Sequence, residues 1–175
     1  KLVDYAENND AYAYMDPTLN FNIKNKESFE NILGKEILIA HYPNLNSTDL
    51  FGNIECSEVL CSIAERYCGE GAFCIASQMW WTFPANVEED LRKKFAHFFH
   101  RDLDGFNFMK FFVYLTDVEP GDGGHFFVAG SHRPSFLDSV RERFRIDRID
   151  DSTIQRRYDE RDIVEMVGPS GTVIV

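Results

Sequence analysis

The stretch from 94 to 134 constrains the fold more than any other part of the chain. It reads KFAHFFHRDLDGFNFMKFFVYLTDVEPGDGGHFFVAGSHRP, with apolar runs separated by segments rich in Gly, Asp, Asn and Pro. Apolar runs of this length between turn-forming residues are typical of β-strands. The pattern therefore predicts strands near 95–102, 108–117 and 125–129, with turns between them.

His100 and Asp102 end the first of these predicted strands. Residues two apart on a strand point to the same face, whereas on a helix they would diverge by about 200°. An imidazole and a carboxylate projected together supply two of the three ligands of the non-haem iron(II) oxygenase site. A His-x-Asp pair is common by itself, and a polar surface pair is the alternative. The preceding apolar strand is what favours a metal.

The segments HRDLDGF, FVYLTDVEPGDGG and FVAGSHRP closely resemble the phytanoyl-CoA dioxygenase-like proteins. The resemblance covers roughly residues 74 to 175 and is most specific between His100 and His132. That family comprises iron(II)- and 2-oxoglutarate-dependent oxygenases built on a double-stranded β-helix. The resemblance implies that His100 and Asp102 are the first two iron ligands. It places the third ligand, a His, and the Arg that binds the distal carboxylate of 2-oxoglutarate beyond Val175, so we expect this chain to be part of a longer protein.

We expect a single domain over residues 1–175, mainly β with helices (α+β), with a double-stranded β-helix (jelly roll, cupin-like) core. Residues 1–70 are expected to be largely helix and loop, with helices over 26–33 and 57–67 and a short strand over 37–41. The second helix is expected to be capped by Ser57 and to pack on the β-rich core. Residues 71–175 are expected to form the core, whose C-terminal part would lie beyond Val175. That core would begin with a strand over 72–83 and carry a charged helical insertion at 135–167.

Two patterns suggest residues around the metal. In the predicted strand 108–117, Lys110 and Tyr114 share a face, and a cation and a phenol suit a carboxylate of 2-oxoglutarate. The alternative is an outer face with a solvated Lys110. Gln78 and Trp80 share a face of the preceding strand, which lines either the cavity or solvent. We therefore predict that Gln78, Lys110, Tyr114 and Leu115 contact 2-oxoglutarate, and that Trp80 and His125 contact the substrate.

The other histidines and the cysteines are expected to be structural. His41 and His97 are expected to be packed or surface residues, and His132 to make a structural hydrogen bond, although His125 or His132 could instead complete the triad. The cysteine spacing matches no zinc motif with paired C-x2-C arms. We therefore expect free, buried thiols in a reducing cytosol, with a structural metal or a disulfide as the alternative. The cysteines are Cys56, Cys61, Cys68 and Cys74.

Charge and composition exclude several functions. The net charge of −11 argues against nucleic acid and against an anionic membrane surface as partners. No apolar run is long enough for a membrane span, so we expect a cytoplasmic protein whose partners are a small-molecule substrate and O2. The expected function is a dioxygenase using iron(II) and 2-oxoglutarate. Because relatives that halogenate carry a small residue in place of the carboxylate, Asp102 favours hydroxylation. The alternatives are a non-catalytic jelly-roll binding module with a vestigial metal site and a cupin-type metalloenzyme of another reaction class.

Overall fold

The chain combines α-helices with antiparallel β-sheets, as the sequence predicts. A computed structural model describes residues 1–14, 16–42, 45, 50–83, 99–100, 107–131, 149 and 151–175. Their helices are α1 (Leu2–Asn8), α2 (Lys26–Leu33), α3 (Gly52–Glu55), α4 (Glu58–Cys68) and α5 (Asp151–Arg157). Their strands are β1 (Ala11–Ala13), β2 (Asn20–Phe21), β3 (Ile39–His41), β4 (Trp80–Thr82), β5 (Phe112–Val113), β6 (Phe126–Val128), β7 (Ile163–Glu165) and β8 (Val173–Ile174).

The first part of the chain contains more β-structure than the sequence predicts. Strands β1, β2 and β3 join β4 in a four-stranded antiparallel sheet with the order β2-β1-β3-β4. The turn between β1 and β2 is fixed by Asp16, whose Oδ1 accepts hydrogen bonds from the backbone N–H of Thr18 at 2.9 Å and its hydroxyl at 2.7 Å. Strands β1 and β2 were not predicted from the sequence, because they are very short and depend on this local hydrogen bonding to reverse the chain.

The largest cluster of buried apolar side chains lies around this sheet. The phenol of Tyr42 donates a hydrogen bond to the carbonyl oxygen of Ala6 at 3.0 Å and so ties β3 to α1. The ring of Phe29 from α2 stacks on Phe21 at 5.1 Å. The first 80 residues therefore supply most of the described core. Its buried members are Ala6, Ala11, Ala13, Phe21, Ile37, Ala40, Tyr42, Leu45, Phe51 and Met79.

Helix α2 has the bounds that the sequence predicts, and its end is set by Gly34 in the left-handed conformation. Glu30 connects this helix to the next strand. Its Oε1 accepts hydrogen bonds from Lys26 Nζ and from the backbone N–H of Ile37, both at 2.6 Å.

Helix α4 confirms the predicted helix over 57–67 to within one residue, but its surroundings differ from the expectation. Ser57 occupies the N-cap position without a side-chain hydrogen bond. No residue of the helix is buried, and Val59 and Tyr67 are 67% and 64% exposed. The expected packing of this helix on the core is therefore wrong. Polar contacts lie at both of its ends: the Cys61 thiol donates to the Glu55 carbonyl oxygen at 3.3 Å, and the Asn107 amide donates to the carbonyl oxygens of Tyr67 and Cys68 at 3.4 and 2.8 Å.

The last third of the chain forms two small antiparallel pairs. Strand β5 pairs with β8, with Phe112 opposite Ile174, and strand β6 pairs with β7, with Phe127 opposite Val164. Val118 and Gly168 form a bridge between the two pairs. The pairs are therefore nested, so the chain from 112 to 128 runs antiparallel to the chain from 163 to 174.

The strands of this region are shorter than the sequence predicts. The predicted strands 72–83, 108–117 and 125–129 are present but shorter, and 108–116 is not helical. Within the predicted charged insertion 135–167, residues 151–157 form α5 and 163–165 form strand β7, which pairs with β6. The predicted strand 95–102 lies mostly outside the described residues, but Phe99 forms an antiparallel bridge with Ile149, whose N–H donates to the Phe99 carbonyl at 2.7 Å.

Candidate functional site

A continuous row of aromatic and imidazole rings connects the N-terminal sheet to strands β5 and β6. The strand register places Tyr12 opposite His41 and His41 opposite Trp80, so the three side chains lie side by side on one face. Their ring centroids are 5.8 and 6.1 Å apart. Trp80 then meets Phe112 edge-on at 6.3 Å, and Phe112 contacts His125 at 4.3 Å. We call these five residues the ring row.

His125 ends the ring row and is half-buried. Phe112, Tyr114 and Phe127 surround its imidazole, the last two with ring centroids 6.4 and 6.3 Å away. Burial lowers the pKa of His125, and the nearby charge of His100 lowers it further. His100 and His125 are therefore close enough in space for the charge of one imidazole to act on the other.

Tyr114 fixes the backbone next to His125. Its hydroxyl donates a hydrogen bond to the Met166 carbonyl at 2.8 Å and accepts one from the His125 N–H at 3.3 Å. A side chain at Gly124 would enter this contact, since a Cβ there would lie 2.6 Å from the Met166 oxygen. The one proton of the phenol is thus already used, and a carboxylate of 2-oxoglutarate would have to compete with Met166 for it.

The remaining predicted residues are distributed more widely. Gln78 is exposed and precedes the buried Met79. Lys110 is exposed, with its Nζ 5.9 Å from the ring centroid of Phe108. Leu115 is partly buried and packs against the N-terminal core.

The structure thus brings together Trp80 and His125 through Phe112, with Tyr114 beside His125. Asp102 and His132 lie outside the described residues. Sequence reasoning missed the contribution of Tyr12 and His41, because it predicted no strand at Tyr12 and treated His41 as an ordinary packed residue. Phe112 could have been found, since it shares the predicted strand face of Lys110 and Tyr114.

His100 is the predicted metal ligand that the structure describes, and it is exposed. An imidazole is a ligand that first-row divalent metals, including iron(II), accept. Among the residues with a described position, no group of three or more His, Cys, Asp or Glu side chains is arranged to hold a metal ion. An iron site at His100 would therefore need Asp102, which lies outside the described residues.

Comparisons with family models, with curated proteins and with solved structures each gave no match to this chain. In the ranges given above, no helix is both long and apolar enough to cross a membrane. A function for this chain is therefore inferred from its own residues.

Proposed function

We propose that this chain belongs to a non-haem iron(II)- and 2-oxoglutarate-dependent dioxygenase that hydroxylates a small-molecule substrate and converts 2-oxoglutarate to succinate. The observation that carries the proposal is the sequence His100-Arg101-Asp102 directly after Phe99, whose backbone pairs with Ile149 in an antiparallel bridge. Extended backbone before the motif is what a shared face for His100 and Asp102 requires.

The nested strand pairs support a jelly-roll core. A double-stranded β-helix is a long antiparallel hairpin coiled between two sheets, so its successive pairs are nested along the chain. The β5–β8 and β6–β7 pairs have this order and belong to separate sheets. The bridge between Val118 and Gly168 lies where the paired chain passes from one sheet to the other.

The ring row supplies an apolar surface next to His125, whereas His100 itself is exposed. An aromatic wall is formed by His125, Phe112 and Trp80, and each of these three residues is half-buried. His100 and Asp102 would hold iron(II), which supplies the activation of O2 coupled to the decarboxylation of 2-oxoglutarate. The wall would exclude water and orient an apolar part of the substrate. Tyr114 would keep His125 in place through the hydrogen bond to its backbone N–H.

One observation favours the non-catalytic alternative. The phenol proton of Tyr114 is used by the Met166 carbonyl, and Lys110 is exposed, so these two groups are not jointly presented to a carboxylate. A jelly-roll module that binds a ligand through the ring row, without 2-oxoglutarate, would need neither of them. Consumption of 2-oxoglutarate distinguishes the two functions.

The test is iron-dependent release of succinate from 2-oxoglutarate by the full natural protein that contains this chain. Asp102→Ala is expected to abolish succinate release, because it removes a ligand and its compensating charge. Asp104→Ala, two residues further on, is the matched control and should retain activity. Equal activity of Asp102→Ala and Asp104→Ala, or a full-length protein that binds iron(II) but never consumes 2-oxoglutarate, would contradict the proposal.

A further inference from the structure

Two of the four cysteines converge on Glu55, the last residue of α3. The Cys61 thiol donates to the Glu55 carbonyl oxygen, with a sulfur–oxygen distance of 3.3 Å. Cys74 lies on the other side, with its sulfur 3.6 Å from Ser77 Oγ, and the Ser77 hydroxyl donates a short hydrogen bond to the Glu55 carboxylate. All four cysteines are free thiols, and Cys61 and Cys74 are exposed rather than buried as the sequence led us to expect.

The path of the chain brings Cys61 and Cys74 to the end of helix α4 that adjoins α3. Gly69 and Gly71, both with positive φ, end the helix and turn the chain back. The contact between Ser77 and Glu55 shows that the returning segment runs beside the helix as far as α3. The two thiols both lie between these fixed points, the turn and the Ser77–Glu55 contact.

Glu55 links the two thiols. Cys61 contacts its backbone carbonyl oxygen, and Cys74 contacts the Ser77 hydroxyl that is bonded to its carboxylate. The Cys74 thiol also donates to the Ala76 carbonyl oxygen, with a sulfur–oxygen distance of 3.6 Å, so the chain turns here and keeps Cys74 beside Ser77. Both thiols therefore border the same residue.

We propose that Cys61 and Cys74 form an oxidation site that closes to an intramolecular disulfide. The thiolate of one cysteine attacks a small-molecule disulfide such as oxidised glutathione, forming a mixed disulfide and releasing one glutathione thiolate. The second cysteine thiolate attacks the protein sulfur of that mixed disulfide, forming the Cys61–Cys74 bond and releasing the second glutathione. The protein loses two protons and two electrons, and both electrons reduce oxidised glutathione to two thiols.

The surroundings of the pair permit the small movement that closure needs. The segment 72–78 is neither helix nor strand, and most of its side chains are exposed. Cys61 and Cys68 cannot pair with each other, because they lie about 10 Å apart on one helix and a disulfide requires Cα atoms within about 7 Å. Closure would anchor the segment that leads through Met79 to Trp80, and so to the ring row.

The test compares two double variants of the chain. The variant Cys56→Ser/Cys68→Ser retains the proposed pair, and Cys61→Ser/Cys74→Ser is the matched control with two thiols elsewhere. Each is incubated with oxidised glutathione, free thiols are counted, and disulfide-linked peptides are mapped by mass spectrometry without reduction. A far-ultraviolet spectrum and an unfolding curve check that each variant is folded. The wild-type chain is mapped in the same way, folded and in urea.

The pair-retaining variant is expected to lose both free thiols, gain no glutathione and yield a peptide that joins Cys61 to Cys74. The control should keep its thiols or carry glutathione on each. The folded wild-type chain should give the same Cys61–Cys74 peptide, and urea should remove the preference for it. Separate glutathione adducts on Cys61 and Cys74, or a dominant Cys68–Cys74 link in the folded wild type, would overturn the proposal.

Discussion

Gly124 lies where the chain beside the candidate site is packed too closely to admit a side chain. Gly124→Ala would place a methyl group 2.6 Å from the Met166 carbonyl oxygen and 3.5 Å from the Tyr114 hydroxyl. We expect a loss of about 1–3 kcal/mol in the free energy of unfolding, since neighbouring backbone must shift. Urea denaturation measures the loss.

Gly52→Ala is the control for that substitution. Nothing lies within 4 Å of a Cβ at Gly52, which starts α3 without a positive φ. Alanine there should be neutral or should stabilise the protein by up to about 1 kcal/mol, because it restricts the unfolded chain. If both variants lose stability equally, the contact between Gly124 and Met166 is not as the structure has it.

His41 lies between Tyr12 and Trp80 in the ring row, and its burial predicts that the free energy of unfolding depends on pH. Burial lowers the pKa of its imidazole in the folded state. Below about pH 6.5 the unfolded chain therefore takes up a proton that the folded chain resists. The stability that the neutral imidazole contributes is present above that pH and is lost as the pH falls through the lower, folded-state pKa.

The measurement is the difference in unfolding free energy between pH 7.5 and 5.5 for wild type and His41→Phe. Phenylalanine keeps a ring between Tyr12 and Trp80 but cannot bind a proton. The variant should therefore lose less stability than the wild type over this interval. An equal loss in the two proteins would show that His41 is not buried in its neutral form.

At the scale of elements, the pairing of β5 with β8 can be tested at Ile174. This side chain is 4% exposed and lies opposite Phe112 of the ring row, whereas the adjacent Val175 is 59% exposed. Ile174→Ala should cost about 2–5 kcal/mol by creating a cavity. Val175→Ala should cost well under half as much. Thermal or urea unfolding compares them, and similar losses would mean that β8 does not pack as described.

The sequence predicts some elements well because their signals are local. Helix α2 combines apolar spacing with a terminal glycine, and both of its ends were found. Strands β1 and β2 have only three and two residues and depend on the turn at Asp16, so periodicity does not reveal them. The exposure of α4 was also missed, because an apolar stripe does not say what, if anything, covers it.

Local patterns likewise indicate some residues of the candidate site, while the others depend on tertiary pairing. His100 and Asp102 are suggested by their spacing, since two residues on one strand need no knowledge of the fold. The meeting of His125 with Phe112, and of Tyr12 with His41, depends on strands distant in sequence coming together. Such contacts are set by tertiary pairing, which spacing along the chain does not encode. The Gln78 and Lys110 predictions had only face-sharing to support them, and that pattern fits an exposed face equally well.

At the scale of the whole molecule, the N-terminal sheet and the nested pairs are connected through the ring row and Leu115. Leu115 packs on the N-terminal core, while Phe112, three residues earlier, contacts Trp80 of the four-stranded sheet. The first 80 residues thus act as the support for the strands that carry His125 and Tyr114.

The most direct test of this account is the iron(II) affinity of the full natural protein, measured by equilibrium dialysis without oxygen. Asp102→Ala should weaken iron binding by more than about 100-fold, since even second-shell changes cost 10–100-fold. His132→Ala should retain most of the binding, because His132 is assigned a structural role. Unchanged affinity in Asp102→Ala, or an equal loss in both variants, would contradict the assignment of His100 and Asp102 as the metal ligands of this chain.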